Sequence, residues 1–209
     1  VHGQLTALLD NGPWRAWNHQ PGGAYLLRGD RMGEAERVLL AAIDDPDPVM
    51  VFEHKLLYKM KGEVPEEAYR IPIGKAVVRR EGRHVTIVAT SIMVHRALEA
   101  AEVLAGEGIE AEVIDLRTLR PLDTATIIES VKKTTRLACV YEGVKTLGIG
   151  AEISALIAES EAFDYLDAPI LRLGGVDSPI PYNPTLEKAA VPQTPGIIEQ
   201  VRNLVKGRI

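Results

Sequence analysis

The chain has 209 residues, a formal charge of −5 and 46% hydrophobic residues. That length suits one large or two small domains, and the apolar content excludes a disordered chain. It carries no basic block that would track a phosphate backbone and no apolar run near the ~20 residues that cross a bilayer, so neither nucleic acid nor a membrane is expected as a partner.

Residues 1 to about 30 hold both tryptophans, Trp14 and Trp17, among turn-forming stretches such as Asn11-Gly12-Pro13 and Pro21-Gly22-Gly23. Residues 24–27 suit a short strand. Arg28-Gly29-Asp30 matches a cell-adhesion tripeptide by chance, since nothing else points outside the cell. Ala35, Val38, Leu39 and Ala42 share one face of a helix predicted over 33–43. Asp44-Asp45-Pro46-Asp47-Pro48 stops that helix, because proline lacks an amide donor and restrains its predecessor. Val49-Met50-Val51-Phe52 reads as a buried strand. A polar stretch with Pro65 and Pro72 then links an incomplete first domain to a complete second one.

The second domain reads most clearly. Thr86-Ile87-Val88-Ala89 is a β-branched apolar run of the kind buried on both faces of a parallel sheet. Ser91 is placed to cap a helix striped by Val94, Ala97, Leu98, Ala101 and Leu104, which Gly106 and Gly108 end. A second strand is predicted at 113–116, completing a βαβ unit with a right-handed crossover. Asp123 caps the next helix, 137–141 is a third strand, and 170–173 a fourth. Residues 177–184, with three prolines, form an ordered loop. Thr194-Pro195 reads as N-cap and first residue of the last helix. Alternating strands and helices give an open α/β sheet with helices on both faces.

Few residues point to chemistry. Cys139 is the only cysteine, so no intrachain disulfide forms and a reducing, cytoplasmic setting is expected. It sits in an apolar run and reads as a packed small hydrophobe. No signal peptide opens the chain, and Val1 suggests a fragment whose start is missing. Residues 143–150 follow a strand and open a helix, a place where free amides hold anions, yet the phosphate-binding glycine patterns are absent. The alternative is a tight turn for close strand–helix packing. Asp44, Asp45 and Asp47 offer oxygen ligands for a hard cation, or they are a solvated helix stop. The five histidines show no metal-ligand spacing.

Several longer motifs occur in order. Phe52-Glu53-His54-Lys55-Leu56-Leu57-Tyr58, the run from Asp115 to Asp123, Gly148-Ile149-Gly150-Ala151-Glu152, the run from Phe163 to Pro169, and Pro179-Ile180-Pro181-Tyr182 resemble the beta subunit of thiamine-diphosphate-dependent 2-oxo acid dehydrogenases. The match runs from about Ala41 to the C-terminus. The resemblance implies a transketolase C-terminal-like, mostly parallel sheet with helices on both faces, preceded by the last part of a pyrimidine-binding α/β domain. Residues 1–58 would be the remnant of that domain, 59–74 the linker and 75–209 the transketolase C-terminal-like domain. It further implies a shared thiamine diphosphate, with magnesium held by an alpha subunit in a heterotetramer. The acyl product would pass to a lipoyl acyltransferase whose peripheral-subunit-binding domain docks here. His2-Gly3-Gln4 resembles the element whose histidine faces the thiamine, and by position Ala42, Asp45 and Asp47 correspond to a potassium site. Residues 11–32 depart from the family pattern. The function implied is oxidative decarboxylation of a 2-oxo acid; an acetoin-cleaving complex and a non-catalytic assembly module are the alternatives. The isolated fragment is expected to be inactive, since no diphosphate-binding motif is present.

Overall fold

The computed structural model describes residues 32–60 and 70–207. Helix α1 (Met32–Asp44) matches the helix expected at 33–43 and ends where the proline-rich aspartate stretch begins. The buried strand expected at 49–52 does not form: Val49 is buried and Val51 makes a single bridge, but Phe52 is exposed. Val49 packs with Val38 and Ile71 in a small cluster that also gathers Ala42, Val51 and Ile73. So residues 71–73, expected in the linker, fold back on the first segment. Asp44 helps, since its Oδ2 lies 2.6 Å from Arg70 Nε. A 3-10 turn at Lys55–Lys59 follows.

The main body is a five-stranded sheet with β1 (Val77–Arg80), β2 (Val85–Ala89), β3 (Ala111–Asp115), β4 (Leu137–Val144) and β5 (Leu171–Gly175). Their spatial order is β1-β3-β2-β4-β5. β3, β2, β4 and β5 run parallel, so the three central strands are adjacent as expected. The bounds of β3 and β5 shift by one or two residues from those expected. β1 was not expected; it pairs antiparallel with β3. Two valines followed by two arginines carry no buried-strand signature, and β1 is half-buried throughout because it lies at an edge.

All five residues of β2 and of β3 are buried, as a strand covered on both faces requires. Val85, Ile87 and Ala89 face one side, with α2 (Ile92–Gly106) and α6 (Thr194–Val205) over them. Val88, Ile114, Leu137 and Cys139 face the other, under α3 (Thr124–Thr134) and α4 (Ile149–Ala158). Helices on both faces thus follow from strand parity. Asp123 caps α3 by accepting from the Thr126 amide at 3.3 Å. Two expected caps are corrected. Ser91 precedes α2 but makes no capping bond, because its backbone sits at φ 56, ψ −134 and turns the side chain inward. The last helix is capped one residue earlier, at Gln193, with Thr194 inside it. A short helix, α5 (Pro184–Ala190), stands in the proline-rich stretch after β5, capped by Asn183.

A buried polar network ties α3 to the sheet. Thr86 Oγ1 lies 2.7 Å from Ser130 Oγ and 2.6 Å from Thr134 Oγ1, and Ser130 hydrogen-bonds the buried Glu112 carboxylate. Lys133 pairs with Glu112 and, at 2.8 Å, with the exposed Glu81.

Candidate functional site

The first candidate stretch is the aspartate loop. Ala42 lies in the last turn of α1, where carbonyls lack an intrahelical donor. The residue four positions on is Pro46, which has no amide to offer. Asp45 Oδ1 accepts from the Asp47 amide at 2.9 Å, folding the loop into a tight bend. Asp44 is drawn away by Arg70. Ala42, Asp45 and Asp47 thus lie within six residues on a bent loop and offer oxygen groups of the kind a hard cation takes. Among the described residues no three His, Cys, Asp or Glu side chains form a metal-holding group, so a cation here depends on main-chain oxygens as well.

The second stretch is the glycine-rich turn after β4. Its glycines surround the ring of Tyr141, which is 3% exposed. A Cβ on Gly148 would lie 2.6 Å from Tyr141 Cε2, one on Gly174 of β5 2.9 Å from the same atom, and one on Gly150 would collide with the opposite ring edge. Close packing of strand, helix and ring accounts for these glycines. Burial raises the Tyr141 phenol above its usual pKa. On the same strand burial pushes the Cys139 thiol to about 12, which rules it out as a nucleophile near neutrality.

The third is a junction that no single motif announced. In an open parallel sheet, ligands and partners gather at the carboxyl ends of the strands where the chain reverses its winding direction. Here β2 leads to β3 on one side and β4 to β5 on the other, so that point lies between the ends of β2 and β4. Ser91 leaves β2 there, and Glu142 lies near the end of β4. His54, from the first segment, reaches this edge: its Nε2 is 3.0 Å from Glu142 Oε1. The Leu56 amide donates to His54 Nδ1 at 3.2 Å, which leaves the proton on Nε2 to donate to the carboxylate. Both side chains are about three-quarters covered. Beside them the Tyr58 hydroxyl donates to Glu53 at 2.9 Å, and that bond raises its pKa.

The buried Asp115 closes the neighbouring edge. Arg79 Nη2 is 3.2 Å away and Arg117 Nε 3.7 Å. Burial raises the pKa of Asp115 against the pull of both arginines. His2 lies outside the described residues, so its relation to His54 and Glu142 is not part of this geometry. His54 falls in a recognisable motif and Glu142 directly precedes the glycine-rich turn, but nothing in a linear sequence joins positions 88 apart.

The sequence from residue 74 to 197 matches the family model "Transketolase, C-terminal domain". The chain belongs to this family. The transketolase C-terminal fold agrees with the solved structure titled "Split gene transketolase, inactive beta4 tetramer", which superposes with a TM-score of 0.73 at 24% identity, over 89% of this chain and 58% of that one. Among curated proteins, the chain is 46% identical over 209 residues to the mitochondrial pyruvate dehydrogenase E1 component subunit beta of Dictyostelium discoideum, covering 98% of this chain and 54% of the relative. It is 50% identical over 167 residues to the Rickettsia felis pyruvate dehydrogenase E1 component subunit beta, covering 80% and 51%. It is 48% identical over 174 residues to the acetoin:2,6-dichlorophenolindophenol oxidoreductase subunit beta of Cupriavidus necator, covering 83% and 51%. The chain spans about half the length of the curated relatives it matches. Among the described residues no helix of this transketolase C-terminal-type chain is long and apolar enough to cross a membrane.

Proposed function

We propose that this chain is part of the beta subunit of the decarboxylating component of a 2-oxo acid dehydrogenase complex, working with an alpha subunit in the cytoplasm or an equivalent compartment. The observation that carries this reading is the identity of 46–50% to pyruvate dehydrogenase E1 beta subunits across 80–98% of the chain. Thiamine diphosphate bound between the subunits would supply the carbon nucleophile that makes loss of carbon dioxide from a 2-oxo acid feasible. The diphosphate and its magnesium are proposed to be held by the alpha subunit.

What this chain contributes is one wall. The hydrogen bond between His54 and Glu142 fixes the first segment, part of the proposed pyrimidine-binding remnant, against the carboxyl edge of the sheet. Misplacing a cleft wall by ~1 Å can cost about a hundredfold in rate, so this registration bears on turnover. His2 is the residue proposed to face the thiamine. Ala42, Asp45 and Asp47 are proposed to hold potassium, and the lipoyl acyltransferase to receive the acyl group.

Reconstitution tests the reading. The chain, in its complete form, is mixed with its alpha subunit, thiamine diphosphate and magnesium, and carbon dioxide release from pyruvate and branched 2-oxo acids is followed. Release from a 2-oxo acid supports it. The acetoin-cleaving alternative draws on the 48% identity to the Cupriavidus necator subunit, and cleavage of acetoin with no release from any 2-oxo acid would select it. Tight binding of the alpha subunit without turnover of either would leave an assembly module.

A further inference from the structure

The outer side of β5 bears a groove apart from the three stretches above. It lies between α4, the 3-10 turn at Glu161–Tyr165 and the segment that leads into β5, and its volume is about 740 Å3. That falls within the ~300–1,000 Å3 of small-molecule sites. The sequence explains why the space is open. Ala151, Ser154 and Ala158 recur at helical spacing along one wall, so this face of α4 carries no side chain larger than a hydroxymethyl group. On the opposite wall the half-buried Leu166 and Ile170 rest on the core below. Phe163, 56% exposed, stands beside the opening. Among the described residues β5 pairs with β4 alone, so no further strand covers this side.

One charge enters this apolar lining. Leu171 and Leu173 pack on the α2 side of the sheet, so strand alternation turns Arg172 the other way, into the groove. Arg172 is half-buried and is the single charged residue of the lining. Among the described residues no carboxylate pairs with it, and its hydrogen bond from Nη1 to Lys145 O is long, at 3.4 Å. Nearby acids are engaged elsewhere: Asp167 accepts from Thr135 Oγ1 at 2.7 Å, and Glu161 pairs with Lys132 at 3.0 Å. Ser154 Oγ donates its proton to Gly150 O at 2.6 Å, so it has none left for an anion. A guanidinium carries five donors in a rigid fork that matches a carboxylate. Half-buried beside apolar carbon, it is costly until an anion meets it. The lining therefore selects both halves of a ligand. One cation suits one carboxylate and not a polyanion, and a slot between a smooth helix wall and an aromatic ring suits a flat apolar body.

We propose that this groove binds a small monocarboxylate with an aromatic body, its carboxylate on Arg172 and its ring between α4 and Phe163. The proposal does not depend on the beta-subunit reading. The probe is naphthylacetate, titrated into the full chain by calorimetry, with naphthylacetamide as its neutral twin and acetate as the bare anion. Naphthylacetate should bind, and the other two should bind more weakly by about tenfold or more, the loss of one charge-assisted pair or of the apolar body. Arg172→Gln should weaken the acid by about tenfold and leave the amide unchanged, a pattern that misfolding does not produce. Ala158→Leu fills the groove with Arg172 intact and should abolish binding, whereas Arg83→Gln, at an exposed arginine elsewhere, should leave it unchanged. The comparison of acid with amide needs no variant, so it decides even where a variant fails to fold. Absence of saturable naphthylacetate binding to the parent, equal binding of acid and amide, or an Arg172→Gln chain that binds like the parent each overturns the proposal. A parent that sediments as a dimer and dissociates on Ala158→Leu would assign the groove to a second copy of this chain, and the ligand proposal would fall.

Discussion

His54 Nε2 sits 3.0 Å from Glu142 Oε1, a hydrogen bond spanning 88 residues that joins the first segment to the carboxyl edge of the sheet. The imidazole is held from its other side by the Leu56 amide, so a single side chain organises the turn that follows and docks it. Replacing His54 by alanine removes both bonds. Amides of residues 56–60 should then exchange with solvent faster by about tenfold, and global stability should fall by only ~1 kcal/mol, since the pair is partly solvated. Unchanged exchange in that turn would mean that the junction does not depend on His54.

The Tyr141 cradle predicts a strong steric coupling. Gly150→Ala drives a methyl group into a ring fixed by Gly148 and Gly174, and should destabilise by about 1–3 kcal/mol. Tyr141→Ala alone should cost about 3–5 kcal/mol. In the double variant the clash is gone, so urea unfolding should show a cost smaller than the sum of the two. Strict additivity would show that the glycines serve something other than this ring.

Glu112 and Glu81 share Lys133 but not their surroundings. Glu112 is buried and also accepts from Ser130 and, at 3.2 Å, from the Gly82 amide. Its replacement by alanine strands buried donors and should cost about 3 kcal/mol, whereas Glu81→Ala at the surface should cost under ~0.5 kcal/mol. Equal effects in thermal melts would contradict the burial-based ranking.

Acid stability follows from the carboxylates whose folded pKa is depressed. Lys133 lowers Glu81, Arg202 lowers Glu107, Arg80 lowers Glu110 and the Thr146 hydroxyl lowers Asp177, each below its ordinary value. A depressed acid contributes stability that is complete above its unfolded pKa and lost as pH falls through its folded one. Asp115 has the opposite sign: its raised pKa means that protonation relieves a buried charge as pH falls. Stability should therefore decline below about pH 4.5. Removing Glu107 by Glu107→Gln should flatten that decline, measured as the unfolding midpoint in urea against pH.

For the aspartate loop, potassium should raise the melting temperature of the complete assembly more than sodium does, because an ion bound only by the folded state stabilises it by mass action. Asp45→Ala combined with Asp47→Ala should erase the difference. A full potassium effect in the double variant would place the cation elsewhere.

The central βαβ core was legible because its strands are buried on both faces and leave long unbroken apolar runs, as in Val85 to Ala89. β1 was hidden for the converse reason, an edge strand needing only half of that pattern. Ser91 looked like a cap from its residue type, but capping depends on a backbone angle that composition does not encode. The proposed potassium donors Ala42, Asp45 and Asp47 could be nominated together because they lie within six residues. The His54–Glu142 pair could not, because only the docking of the first segment on the end of β4 brings those positions together.

Both outer strands of the sheet carry arginine: Arg79 and Arg80 on β1, Arg172 on β5. An unpaired strand edge is a template for another chain, and a cation within it makes such pairing costly. β5 adds Gly174 and Gly175, which weaken strand character just where the edge is open. The sheet thus carries its own protection against growing into a fibre. Arg172→Val would remove half of that protection on the β5 side, and its consequence would be read in light scattering on storage, not in the melting temperature.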